Sequence, residues 1–113
     1  MKLLVLVLNK IEYLDTILTA FVEAGVTGAT ILESEGMGRA LAYEVPLFAG
    51  LRKSLQISDY NKTIFTIIHD DKILDEVIKI IEEIIDFDEP DSCLLFVVPL
   101  LLVKGLKENE LSW

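Results

Sequence analysis

Apolar positions fall into two rhythms along this chain. Residues 2 to 8, KLLVLVL, are almost continuously apolar, the pattern of a strand covered on both faces. After Asn9 the spacing changes. Ile11, Leu14, Ile17, Leu18, Phe21 and Val22 recur at helical intervals until Gly25, and Asn9 with Glu12 three residues later has the form of a capping box. Period two returns in GATILESEGMGR, residues 28–39, where Ala29, Ile31 and Glu33 take one face and Thr30, Leu32 and Ser34 the other. The roughly twenty residues after Arg39 show no clear periodicity and carry Pro46 and Gly50. A connection of that length in a small domain is commonly functional. KTIFTIIH, residues 62–69, is rich in β-branched residues and reads as a third strand. Asp70 or Asp71 then caps a second helix through Ile85, with Leu74, Val77, Ile78, Ile81, Ile84 and Ile85 on its apolar side. Six of the ten residues from Glu82 to Asp91 are acidic, and Pro90 stops the helix before CLLFVV, the fourth strand.

The resulting order, β-α-β-β-α-β, predicts an α+β, ferredoxin-like fold with a four-stranded antiparallel sheet and both helices on one face. The 113 residues form one expected domain, residues 1–113. Hydrophobic residues make up 52% of the chain and mean hydropathy is +0.49, so apolar surface is expected to remain after a monomer core is filled. That favours an oligomer. A net charge of -9 opposes a phosphate backbone, and nucleic acid is discounted as a partner. The longest apolar run, CLLFVVPLLLV, is too short to cross a bilayer and contains a proline, while the apolar N-terminus leads into an amphipathic helix and not a cleavage site. A soluble, cytoplasmic protein without membrane insertion is expected.

Candidate chemistry is sparse. Cys93 is the only cysteine, which rules out an internal disulfide and reads as a small buried residue. The single histidine, His69, cannot belong to a multi-histidine metal site. DFDEPD, residues 86–91, lacks the glycine turn and distal glutamate of a calcium loop and reads as a solvated acidic turn, so no metal site is assigned. No serine, cysteine or lysine sits in a nucleophile motif, and the chain is not read as an enzyme.

FVEAGVTGATILESEGMGR, LDEVIKII and the FVVP of the fourth strand, at their spacing in this chain, resemble the PII nitrogen-regulatory signal-transduction family. The resemblance runs from Lys2 to about Lys107 and implies a homotrimer in which a long T-loop, here residues 39–61, leaves the second strand. It further implies a small effector held in clefts between subunits, and a protein partner, a metabolic enzyme or membrane transporter, controlled through the loop. Carried onto this sequence, the effector positions are Gly28, Thr30, Gly36, Gly38, Arg39, Lys62 and Lys107, with backbone groups around the threonine facing an adenine and the arginine facing phosphate. The partner positions are Tyr43, Leu47, Phe48, Leu51, Arg52 and Lys53. Two departures matter. The family's glycine- and lysine-rich phosphate loop is replaced by the acidic FDEPDSCL, and the glutamine expected after the arginine is Ala40. The expected ligand is therefore an adenine nucleotide of low charge, AMP or ADP, and not ATP with 2-oxoglutarate. Two alternatives stay open: a ligand-free oligomeric adaptor, and a metal-binding trimer resembling the CutA proteins.

Overall fold

The computed structural model describes residues 1–48, 50 and 60–107, with Phe48 described by its backbone alone. Strands β1 (Lys2–Leu8), β2 (Thr30–Ser34), β3 (Asn61–Ile68) and β4 (Cys93–Pro99) form one sheet in the order β2-β3-β1-β4. All three pairings are antiparallel. Helices α1 (Leu14–Ala24) and α3 (Asp71–Ile84) are the crossover helices, which gives the ferredoxin-like arrangement. A further helix, α2 (Met37–Glu44), follows β2.

Alternation along β1 decides what each face does. Leu4, Leu6 and Leu8 are fully buried and meet Thr66, Ile64 and Lys62 on β3 and Val97, Leu95 and Cys93 on β4. Ile17, Phe21, Leu74, Val77, Ile81 and Ile85 close over this face. Each such side chain contributes about 1.5–3 kcal/mol when removed from water. The opposite face carries Leu3, Val5 and Val7, paired with Ile67, Phe65 and Thr63 on one side and Val98, Phe96 and Leu94 on the other. No described helix covers it. Leu94 is 58% exposed, Phe96 43%, Leu32 49%.

Helix ends follow local chemistry. Gly25 ends α1 in the left-handed conformation, φ 100°, and its N–H reaches Phe21 and Val22 carbonyls. Asp70, rather than Asp71, caps α3, its carboxylate accepting from the Lys72 N–H at 2.8 Å. The capping box expected at Asn9 and Glu12 does not form. A 3-10 turn, Ile11–Tyr13, precedes α1, and Asn9 Oδ1 instead accepts from Asn61 Nδ2 at 3.1 Å. The turn takes Ile11 out of phase with α1, and Ile11 and Val22 are exposed where the helical spacing had placed them inward.

The strand expected over residues 28–39 is shorter than its apolar alternation suggested. Pairing with β3 covers Thr30 to Ser34, and then Gly36, extended at φ -77° and ψ 155°, begins α2. Ala40, Leu41 and Ala42 favour helix and Ala42 is buried, so the first part of the expected loop is ordered on the subunit. A 3-10 turn, Pro46–Phe48, follows.

One buried side-chain bond fixes β2 to the rest of the sheet. Thr66 Oγ1, fully buried, donates to the Gly28 carbonyl at 2.7 Å. Thr66→Val keeps the shape and strands that carbonyl, and a loss of about 1–3 kcal/mol in urea unfolding is expected. Met37→Ala, at a 78% exposed position, should change stability by no more than about 0.5 kcal/mol.

Candidate functional site

The antiparallel register brings the end of β1, the end of β2, the start of β3 and the start of β4 to one edge of the molecule. Polar side chains pin this edge. Asn61, nearly buried, accepts from Ser34 Oγ through its side-chain oxygen and donates to Asn9, while Ser34 Oγ lies 2.6 Å from Thr63 Oγ1. Such a satisfied network fixes where the chain leaves β2.

Beyond it, α2 presents Arg39. The Arg39 Nη1 donates to Glu35 Oε1 at 2.7 Å, and the guanidinium carbon stands 4.5 Å from the centre of the Tyr43 ring and 4.0 Å from that of Tyr60. The Arg39 side chain, 15% exposed, is thus in contact with a ring of its own helix and with a ring at the foot of β3. Gly36 and Gly38 flank it on the open side. A Cβ on Gly36 would lie 3.8 Å from Asn61 Nδ2, and one on Gly38 would meet nothing within 4 Å. Neither glycine needs positive φ.

The acidic turn sits at the same edge. Asp86 Oδ1 accepts from the Asp88 N–H at 3.0 Å, Asp91 takes φ 57°, and the Asn9 N–H donates to the Ser92 carbonyl at 3.1 Å. Glu89 pairs with Lys10, whose pKa is raised chiefly by that hydrogen bond. The Lys10 ammonium is thereby engaged internally.

The other sequence-predicted positions are distributed more widely. Lys62 lies on the helix-covered face opposite Glu33. Gly28 and Thr30 stand at the far end of β2, and Lys107 follows β4 beyond the end occupied by Pro99 and Met1. At about 3.3 Å per residue, Gly28 and Ser34 are roughly 20 Å apart. One subunit therefore gathers Gly36, Gly38 and Arg39 but not Gly28, Thr30 or Lys107 around a single small ligand. Of the partner positions, Tyr43 packs on Arg39, Leu47 is 85% exposed and Phe48 ends the 3-10 turn. Leu51, Arg52 and Lys53 lie outside the described residues. Glu35, Tyr60 and Asn61 were missed in the sequence. Glu35, Arg39 and Tyr43 are four residues apart, a spacing that becomes informative once α2 is known to be a helix.

Among the described residues, no three His, Cys, Asp or Glu side chains are grouped so as to hold a metal ion. No helix among them is long and apolar enough to cross a membrane.

The fold and the loop-bearing edge define a class of small α+β proteins, and comparison places the chain within it. It belongs to the family described as nitrogen regulatory protein P-II, whose model matches residues 1–110. Members are regulatory and signalling proteins. Two solved structures share the fold. A protein from Thermus thermophilus described as a PII-like signalling protein is 16% identical, with a TM-score of 0.53 over 86% of this chain and 83% of that one. A functionally unknown protein from Pediococcus pentosaceus is 17% identical, with a TM-score of 0.58 over 93% and 96%. No curated protein matches the chain at a significant level.

Cys93, at the start of β4 beside the acidic turn, is half-buried, and burial pushes its thiol up to about 11. It is protonated at neutral pH, and as a nucleophile it is weak. The folded pKa exceeds the unfolded one, so the associated stability is full below about pH 9 and is lost as pH rises towards 11. Two outcomes are expected: slow alkylation of the native thiol at pH 8, and a shallower fall in stability above pH 9 for Cys93→Ala than for the wild type, read by urea unfolding.

Proposed function

We propose that this PII-family chain acts as a homotrimer that binds a small anionic effector in its intersubunit clefts and signals to a protein partner through residues 39–61. The observation that carries this reading is the helix-free face of the sheet. Leu3, Val7, Phe65, Leu94, Phe96 and Val98 line one apolar face around the buried Val5, and Leu94, Phe96 and Val98 are 58%, 43% and 40% exposed, the kind of contiguous apolar face that marks an interaction surface. Packing these faces around a threefold axis covers all of them by the same contact.

The separation of the effector positions fits the same arrangement. A ligand touching both Gly28 and Gly36 needs two subunits, one offering each end of its β2. The open space at Gly38 adds a second argument. A glycine inside a helix costs up to about 1 kcal/mol relative to alanine, and no described residue comes within 4 Å of a Cβ there to require it. Close approach by a ligand or a neighbouring chain does require it.

The acidic turn sets the preferred charge of that ligand. Each carboxylate placed about 4 Å from a phosphate charge opposes it by roughly 1 kcal/mol in water, and salt screens the more distant ones. The repulsion grows with each added phosphate. An adenine nucleotide is therefore expected to bind with preference falling from AMP through ADP to ATP. Leu47, exposed at the tip of the described loop, and the apolar and basic residues after it suit a groove with an acidic rim on an enzyme or transporter.

Light scattering at micromolar concentration is expected to report three copies of the chain, and Phe96→Asp to reduce this to one. A soluble wild-type monomer would refute the assembly. Calorimetry with AMP, ADP and ATP tests the ligand, and ATP binding tighter than AMP would overturn the electrostatic argument.

A further inference from the structure

We propose that Glu35 is an autoinhibitory carboxylate: it occupies Arg39 in the way an anionic effector would, and the two compete for the same guanidinium. The inference rests on the reading of Arg39 as an anion contact. It does not depend on the anion being a nucleotide.

Three observations support it. Glu35 Oε1 takes a charge-assisted hydrogen bond from Arg39 Nη1 at 2.7 Å, within the strong range for such pairs. The pair is shielded, with side-chain exposures of 15% for Arg39 and 29% for Glu35, so solvent weakens it less than an open surface bridge. The guanidinium carbon lies over both the Tyr43 and Tyr60 rings, at 4.5 and 4.0 Å from their centres, and these two cation–π contacts restrict where it can move. Tyr43 and Tyr60 are positioning residues in this account.

The local charge balance makes the competition consequential. In a chain of net charge -9, a carboxylate four residues before the arginine neutralises the cation that an incoming anion meets at the loop base. An effector must displace Glu35, and the displaced carboxylate is then repelled by the anion that replaced it. Glu35 sits between the end of β2 and α2, so its release acts at the hinge from which the loop starts. Glu35→Gln keeps the size and a hydrogen-bond acceptor but removes the competing charge.

The test uses inorganic phosphate as the probe, followed at the Arg39 Nε–H resonance by NMR in the full-length protein. The Glu35→Gln variant is expected to be half-saturated at a phosphate concentration about 3- to 10-fold lower than the wild type. Tyr60→Leu should shift the Arg39 resonance before any phosphate is added, which checks that the signal reports the stack. Equal midpoints in wild type and Glu35→Gln, or a weaker response in the variant, would overturn the proposal, as would no response in either. AMP calorimetry run alongside separates the two levels. Absence of AMP heat with a phosphate midpoint lowered by Glu35→Gln removes the nucleotide from the proposed function and leaves the competition standing.

Discussion

A four-stranded sheet has two faces, and the crossover helices of this chain cover one. Every larger feature depends on that inequality. On the covered side Leu4, Leu6 and Leu8 meet α1 and α3 in a conventional core. On the other side Val5 is nearly buried only because Phe65 and Phe96 flank it, and the residues around it remain open. A second helical layer would have satisfied this surface within one chain. None is present among the described residues, which leaves Leu94, Phe96 and Val98 open in the single subunit.

The rim is also where the polar chemistry concentrates. Asn9, Ser34, Asn61 and Thr63 close the sheet edge by hydrogen bonds, and α2 starts three residues beyond Ser34. This pin gives Arg39 a fixed base, and the two tyrosine rings restrict where its guanidinium can move. The acidic turn, folded back by its Asx bond and by the pairing of Glu89 with Lys10, faces the same edge. Among the described residues this edge thus combines the shielded Arg39 with the carboxylates of the acidic turn.

Most of the fold was legible in the sequence because it is written in periodicity. The continuous apolar run of β1 and the 3.6-residue spacing of α3 each report burial on a face, and burial is what fixes those elements, whereas β2 alternates with no buried residue in the single subunit and is fixed by its pairing with β3. Gly25, and a cap at Asp70 or Asp71 of which the structure selects Asp70, were legible for a different reason: each has a conformation or a hydrogen bond that few other residues supply. The capping box at Asn9 was misread because Asn61, 52 residues away, competes for the same side chain, and nothing local signals such a partner. The helix α2 was obscured by Gly38 inside its first turn and Gly36 just before it, since glycine lowers helix propensity where only tertiary context restores it.

The candidate site was legible in outline and not in chemistry. Gly36, Gly38 and Arg39 are indeed adjacent, yet the sequence pattern left Arg39 as an available cation, whereas the structure gives it a carboxylate at 2.7 Å and two aromatic faces. A guanidinium so engaged answers to a difference of affinities: it exchanges one anion for another only when the newcomer binds better than Glu35 does. Under the proposed competition, the affinity of the edge for an effector and the freedom of α2 to move both depend on the Glu35–Arg39 pair. A weak intramolecular competitor lets the effector bind readily but changes little when it arrives, while a strong one makes binding costly and the resulting rearrangement large. The 2.7 Å bond and the 15% and 29% side-chain exposures of the pair favour the second case for the competition proposed above, in which occupancy of the edge and the state of the loop base would be tightly linked.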